Sequence, residues 1–258
     1  MQILLTVAYD GTNYAGWQKQ NNAIAVQQKL EEALSVLLAR PVSVTAASRT
    51  DAGVHALGQR VCFTAVDLKV PINKLPVVLI GLLPHDISVT DAEIVSDNFS
   101  PRFNAQHKTY EYTFYNAPHP NPLFARYSAF VPQKINVEHM QTAAQMFIDR
   151  HDFAAFCATG GSAKTTVREI YACAIEKRPD NIVKLTITGN AFLYNMVRII
   201  AGTLLYVGLG KFAAGDIPAI IESRDRTHAG KTMPPQGLVL KNVSYDVGNF
   251  LDKSQQLR

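Results

Sequence analysis

Residues 48–59 read SRTDAGVHALGQ and place Arg49, Asp51 and His55 between two alternating apolar stretches, VSVTA and RVCFTAV. A short glycine turn would join two strands equally well, so the charges call for a reason. Asp51 followed by Ala52 and Gly53 can be a plain turn, because such carboxylates commonly accept hydrogen bonds from their own loop. Two further features favour chemistry. Arg49 lies two residues before Asp51, close enough in sequence to keep a carboxylate ionised or to hold a phosphate. A second cation, Arg198, stands in FLYNMVRIIAGTLLYVGLG, residues 192–210, which reads as a helix apolar nearly all round. A guanidinium on such a helix loses much of its hydration and requires an anionic partner. If Asp51 is that partner, the acid lies dry and fixed in a cleft between the halves of the chain, where a carboxylate acts as nucleophile or general base.

The elements that would position these groups alternate along the chain. QILLTVAY reads as a strand; VQQKLEEALSVLLAR places Val26, Leu30, Ala33, Leu34, Leu37 and Leu38 on one helical face and stops at Pro41. VSVTAAS and QRVCFTAV read as strands around the charged loop, a second helix covers part of NKLPVVLIGLL, and ISVTDAEIV is strand-like. After the Pro and Asn cluster at residues 116–122 the pattern partly recurs. KTYEYTFYN is a strand, NVEHMQTAAQMFIDR a helix with Asn136 as its N-cap, TVREIYACAIEKR and NIVKLTITG are strands, and the Arg198 helix follows. Two β-rich halves, each with helices after its strands, predict an α+β architecture of two related α/β domains, 1–107 and 108–258.

Composition sets the remaining bounds. The chain has 258 residues, 47% apolar and 18% charged, with a net charge of +4. Residues 1–107 hold 8 Lys+Arg against 9 Asp+Glu and residues 108–258 hold 17 against 12, so a phosphate-facing surface is expected in the second half. Cys62, Cys157 and Cys173 lie far apart with no CxxC, which suggests neither a zinc site nor a disulfide framework, and a reducing cytoplasm is the default. The start, MQILLTVAYDG, lacks the pattern of a signal peptide. Asn195, Arg198, Thr203 and glycines interrupt the 192–210 run, which favours a buried helix of a soluble protein over a membrane span. No GxxxxGK[ST], HExxH or GxSxG occurs; GLGKFAAG, residues 208–215, reads as a helix end.

Six segments in order carry a resemblance: YDGTNYAGWQKQ (9–20), SRTDAGVHALGQ (48–59), NAQHKTYEYTFYN (104–116), HDFAAFC (151–157), FLYNMVRIIAGTLLYVG (192–208) and AGKTMPPQGLVL (229–240). In order and spacing they resemble the TruA family of tRNA pseudouridine synthases, over nearly the whole chain. RTDAGVH with GWQ upstream and MVR downstream is highly specific. The resemblance implies two α/β domains of similar topology with a basic cleft between them, a homodimer, and isomerisation of uridines at positions 38, 39 and 40 of the tRNA anticodon stem-loop. No metal or organic cofactor is expected. By the family pattern Asp51 is the catalytic aspartate, Tyr110 in KTYEY packs against the target uracil, Arg198 in MVR pairs with Asp51, and Arg49 assists base extrusion or contacts phosphate. The sequence departs from the pattern at Glu111 and Gln106, where members usually and often carry Arg, so weaker RNA affinity or a compensating contact is expected.

These residue types suit the implied reaction. Conversion of uridine to pseudouridine breaks the N1–C1′ bond, turns the uracil and joins C5 to C1′. An ionised Asp51 could attack C1′, add to C6 or remove a sugar proton, and each needs a water-poor pocket. The base must leave its stack, and Tyr110 would offer a flat platform for it. Two rivals compete with this reading. One is a noncatalytic RNA-binding protein of the same fold; the other is a glycoside hydrolase, which should present a second acid that RTDAGVH does not supply.

Overall fold

The run QILLTVAY, with inward residues Ile3 to Leu5 and Val7 fully buried, forms β1 (Gln2–Tyr9). The computed structural model describes residues 1–161 and 163–245 and divides into two units. Met1–Gln106, joined by the described residues from Leu240 onward, makes the first; His107–Val239 makes the second.

In the first unit, α1 (Val26–Leu38) buries Val26, Leu30, Ala33 and Leu34 and ends where Ala39 turns left-handed at φ 50°. The strand expected over VSVTAAS shrinks to β2 (Thr45–Ala46). The cause is local. The Val42 and Val44 N–H groups donate to Ser35 Oγ (3.0 Å) and Glu31 Oε1 (3.1 Å), so α1 takes the bonds that a neighbouring strand would otherwise satisfy. Next come β3 (His55–Thr64), α2 (Leu75–Ile80) and β4 (Ile87–Val95). β1 lies antiparallel between β3 and β4, with Leu4 opposite Cys62 on one side and Glu93 on the other. β3 starts earlier than its apolar pattern suggests, so His55 is its first residue.

In the second unit, β5 (His107–Asn116) carries β6 (Ala129–Val131) in parallel at its end. α3 (Val137–Gln145) begins at Asn136, whose side chain accepts from the His139 N–H as expected of an N-cap. The helix is shorter than NVEHMQTAAQMFIDR suggests: Asp149 adopts φ 91° and opens β7 (Asp149–Asp152). β8 (Val167–Arg178) and β9 (Ile182–Gly189) complete an antiparallel sheet ordered β5-β9-β8-β7. Against it stand α4 (Met196–Gly208) and α5 (Ile217–Ser223). α4 is the buried helix read from the sequence, with Ile199, Ile200 and Leu204 fully enclosed. Among the described residues, no helix is long and apolar enough to cross a membrane.

The chain then enters β10 (Leu238–Ser244). A side chain at Gly58 on β3 would lie 2.6 Å from the Lys241 carbonyl, so β10 runs hard against β3. The sequence reading carried the second domain through to residue 258. From Leu240 the described residues group instead with the first unit, in which β10 lies beside β3. The two units thus show the expected α+β class, each an antiparallel-rich sheet with helices packed on it.

Cys62 and Cys173 are buried and Cys157 is half-buried. Burial pushes the thiols of Cys62 and Cys173 up to about 12, so both stay protonated at neutral pH and are poor nucleophiles. A thiol reagent at pH 8 is therefore expected to modify Cys157 first and the other two only on unfolding. Mass spectrometry of the labelled peptides checks this; early labelling of Cys173 would contradict the burial.

Candidate active site

Asp51 stands at the start of a turn closed by the Val54 N–H on the Asp51 carbonyl, 3.1 Å. Gly53 supplies the left-handed residue at φ 76°, which a side chain would resist. The turn is pinned on both flanks. Before it, the side chain of the fully buried Gln59 holds the Ser48 main chain twice, accepting from N–H at 3.3 Å and donating to the carbonyl at 2.7 Å. The Thr50 hydroxyl meets the Tyr9 hydroxyl at 2.7 Å.

Beside the turn lies the segment YDGTNYAGW. The Trp17 N–H donates to the Thr50 carbonyl (3.0 Å) and the Gly53 N–H to the Tyr14 carbonyl (3.3 Å). Two glycines permit this approach. A Cβ at Gly11 would fall 2.0 Å from the Val54 carbonyl, and one at Gly16, whose φ is 91°, would fall 2.6 Å from that of Thr50. The segment is itself anchored: the Tyr14 hydroxyl donates to Asp86 Oδ1 at 2.5 Å, and burial followed by the Asp86 carboxylate holds its pKa well above the ordinary tyrosine range.

His55 closes the arrangement from inside. Its Nδ1 lies 3.0 Å from the Gly11 N–H and 3.1 Å from Asp10 Oδ1. One nitrogen cannot serve both: with the ring proton on Nε2 it accepts from Gly11, whereas an imidazolium would donate to Asp10. Asp10 Oδ1 also receives the Thr12 N–H (3.0 Å) and hydroxyl (2.5 Å). The result is a carboxylate on a fixed loop. Asp51 is partly buried and Arg49 is exposed on the same loop.

Tyr110 and Arg198 belong to the second unit. Tyr110 sits on β5 opposite Ile187 of β9, 7% exposed, with Phe192 edge-on at 5.1 Å. Arg198 lies in the first turn of α4 and is partly buried. Its Nε donates to the Met233 carbonyl (2.7 Å) and Nη1 to Asn195 Oδ1 (2.5 Å). Asn195 therefore turns its side chain to Arg198 rather than capping the helix. AGKTMPP forms a strap along α4. The Gly230 N–H donates to Thr203 Oγ1 (2.9 Å), the Met233 N–H to the Arg198 carbonyl (3.2 Å), and Pro234 accepts the Tyr112 hydroxyl (2.8 Å). Burial raises the Tyr112 pKa, and the nearby Arg198 charge opposes that rise.

A Cβ at Gly202 would lie 1.8 Å from the Lys231 carbonyl, and one at Gly230 would lie 2.5 Å from the Gly202 main chain. Gly202→Ala must therefore lift the strap. It is expected to cost about 3 kcal/mol, roughly 10 °C in Tm for a chain of this size, as read by thermal unfolding. An unchanged Tm would mean that the strap is not held there.

Of the sequence-derived site residues, Arg49 and Asp51 belong to the first unit and Tyr110 and Arg198 to the second. The glycines at 11, 16, 202 and 230, together with Gln59, act on them and were not singled out from the sequence, while His55 and Asn195 were named there without a role at the site. Their signal was the close spacing of DG, GW, HALGQ and AGK to the charged motifs, but only backbone packing shows what each one meets.

A tRNA pseudouridine synthase family model matches residues 5–104 and 143–246. A "tRNA pseudouridine synthase A" of Ruminiclostridium cellulolyticum is 49% identical over 95% of this chain and 99% of its own. The chain belongs to the tRNA pseudouridine synthase family. Relatives of the same description from Caldicellulosiruptor saccharolyticus and Geotalea uraniireducens are 46% and 44% identical over 94% and 95% of this chain and 99% of theirs. A solved Cbf5-Nop10-Gar1 complex matches at TM-score 0.39 and 10% identity, covering 92% of this chain and 48% of that one. The pseudouridine synthases are isomerases, and the resemblance read from the six motifs is thereby confirmed. In this family member Glu111 is not a loose acid: Lys184 Nζ lies 2.8 Å from its Oε2, so the position is locally neutral rather than positive.

Proposed function

We propose that this pseudouridine synthase isomerises uridine at positions 38, 39 and 40 in the anticodon stem-loop of tRNA, with Asp51 as the group that acts on the nucleoside. Family membership over nearly the whole chain carries the reading, and the immobilised Asp51 turn supports it. Preorganisation is what a lone catalytic carboxylate requires, since a reacting group held in place spares the entropy of finding its target. Breaking N1–C1′ and joining C5 to C1′ releases the C5 proton to solvent, places a proton from solvent on N1, and leaves the uracil on the same ribose.

Arg198 is proposed as the cation that keeps Asp51 ionised. Its Met233 and Asn195 contacts support the role, because they hold the guanidinium in one orientation with neutral acceptors that leave its charge intact. Tyr110, braced by Phe192, serves as the surface for the flipped uracil, and the exposed Arg49 meets a phosphate or helps to extrude the base. Mild positive charge in residues 108–258 suits a polyanion. The working form is proposed to be a cytoplasmic homodimer.

The test uses anticodon stem-loop RNA tritiated at C5 of uridine. Release of label without free uracil is the expected result. Free uracil would indicate hydrolysis, and tight binding without release would indicate a noncatalytic RNA-binding protein.

A further inference from the structure

We propose that Arg102 and Phe103 form a stacking surface for an unpaired nucleotide of the RNA substrate, the ring taking the base and the guanidinium the adjoining phosphate. The proposal rests on the reading of the protein as an RNA-modifying enzyme and adds a contact beyond the site residues above.

Residues 100–104 form a turn tied to itself and to the core. The Ser100 N–H donates to Asn104 Oδ1 at 2.7 Å, and the Asn104 N–H donates to the Ser100 carbonyl at 3.0 Å. Beneath it Phe99 is buried against Leu4, Cys62 and Val95. The Tyr245 ring packs on Phe99 at 5.2 Å, and its hydroxyl donates to the Pro101 carbonyl at 2.6 Å. Burial raises the Tyr245 pKa above the ordinary range, so that donor persists throughout the neutral range.

On this base Phe103 points outward, 80% exposed. Single exposed apolar residues are ordinary, but this one is held out by a rigid turn and carries a cation. The Arg102 guanidinium lies 5.5 Å from the ring centre, which leaves much of the ring open. An aromatic ring beside an arginine suits a nucleotide: every base has a π-face to stack, and the guanidinium forks onto phosphate. Local charge agrees. Between Asp97 and Glu111 the sequence has no acid, while Arg102 and Lys108 are positive. The residues flanking Phe103 are Arg102 and Asn104, with an exposed Gln106 beyond, so the ring stands in a polar setting.

The experiment measures unmodified tRNA binding and C5-label release with the full chain and with Phe103→Ala, Phe103→Tyr and Arg102→Gln. Loss of one stacked base is expected to weaken Kd and raise KM about tenfold in Phe103→Ala, with kcat nearly unchanged. Phe103→Tyr should restore wild-type binding. Arg102→Gln should lower the salt slope of log K by about one. The exposed site predicts an unchanged Tm, so any loss is not one of folding. Wild-type Kd and KM in Phe103→Ala, with the parent enzyme active, would overturn this surface alone. A shift of Phe103→Ala to a smaller species in sedimentation would place the ring in a contact between copies and overturn it too. Failure of the parent chain to bind or modify tRNA would instead bring down the function on which the proposal rests.

Discussion

Asp51→Ala is expected to lower C5-label release by at least about a thousandfold, the scale of losing a reacting carboxylate, while tRNA binding changes little. The separation follows from how the turn is held. Its bonds run through the main chain, from Trp17 N–H to the Thr50 carbonyl, Gly53 N–H to the Tyr14 carbonyl and Val54 N–H to the Asp51 carbonyl. Alanine can keep all three. Gln59 on Ser48 and Tyr9 on Thr50 are likewise untouched. Asp51→Asn, which keeps the shape but not the charge, should be nearly as inactive. Single-turnover label release beside a filter-binding Kd separates the two quantities. Normal turnover in the alanine variant would end the assignment of Asp51.

Arg198→Met is expected to cut kcat about a hundredfold at neutral pH, the scale expected when a charged partner is lost. The pH profile distinguishes its role from mere support. The reactive carboxylate must be ionised, and a neighbouring cation lowers its pKa, so removing that cation raises the pKa. The acidic limb of the rate profile should therefore move to higher pH, with a greater loss at pH 6 than at pH 8. A uniform loss across pH would mean that Arg198 serves only the strap through Met233 and Asn195. Tm falls in either case, because the variant leaves the Met233 carbonyl and the Asn195 side chain without this donor.

Much of the fold was legible in the residues because periodicity records which face is buried. QILLTVAY, ISVTDAEIV and NIVKLTITG are strands where their alternation places them, and Asn136 caps the helix that it precedes. The errors came where distant groups compete for the same backbone atoms. VSVTAAS alternates as a strand should, yet Glu31 and Ser35 of α1 claim two of its N–H groups. β10 looks like the natural end of the second half, yet from Leu240 it belongs with the first unit, where its backbone packs directly on Gly58 of β3.

The candidate site divides in the same way. The identity of the chemistry was written in the sequence, because a charge in an apolar context carries its own cost and the motifs around Asp51, Tyr110 and Arg198 are specific enough to name a family. How those groups are held in place was not. That Gly11 and Gly16 carry no side chain so that two backbones can touch, that His55 accepts a main-chain N–H, and that a strap crossing Gly202 orients Arg198 are facts of close approach between segments far apart in the chain. A linear sequence lists which atoms exist, while only the packed chain decides which of them come within the few ångströms at which hydrogen bonds and steric exclusion act.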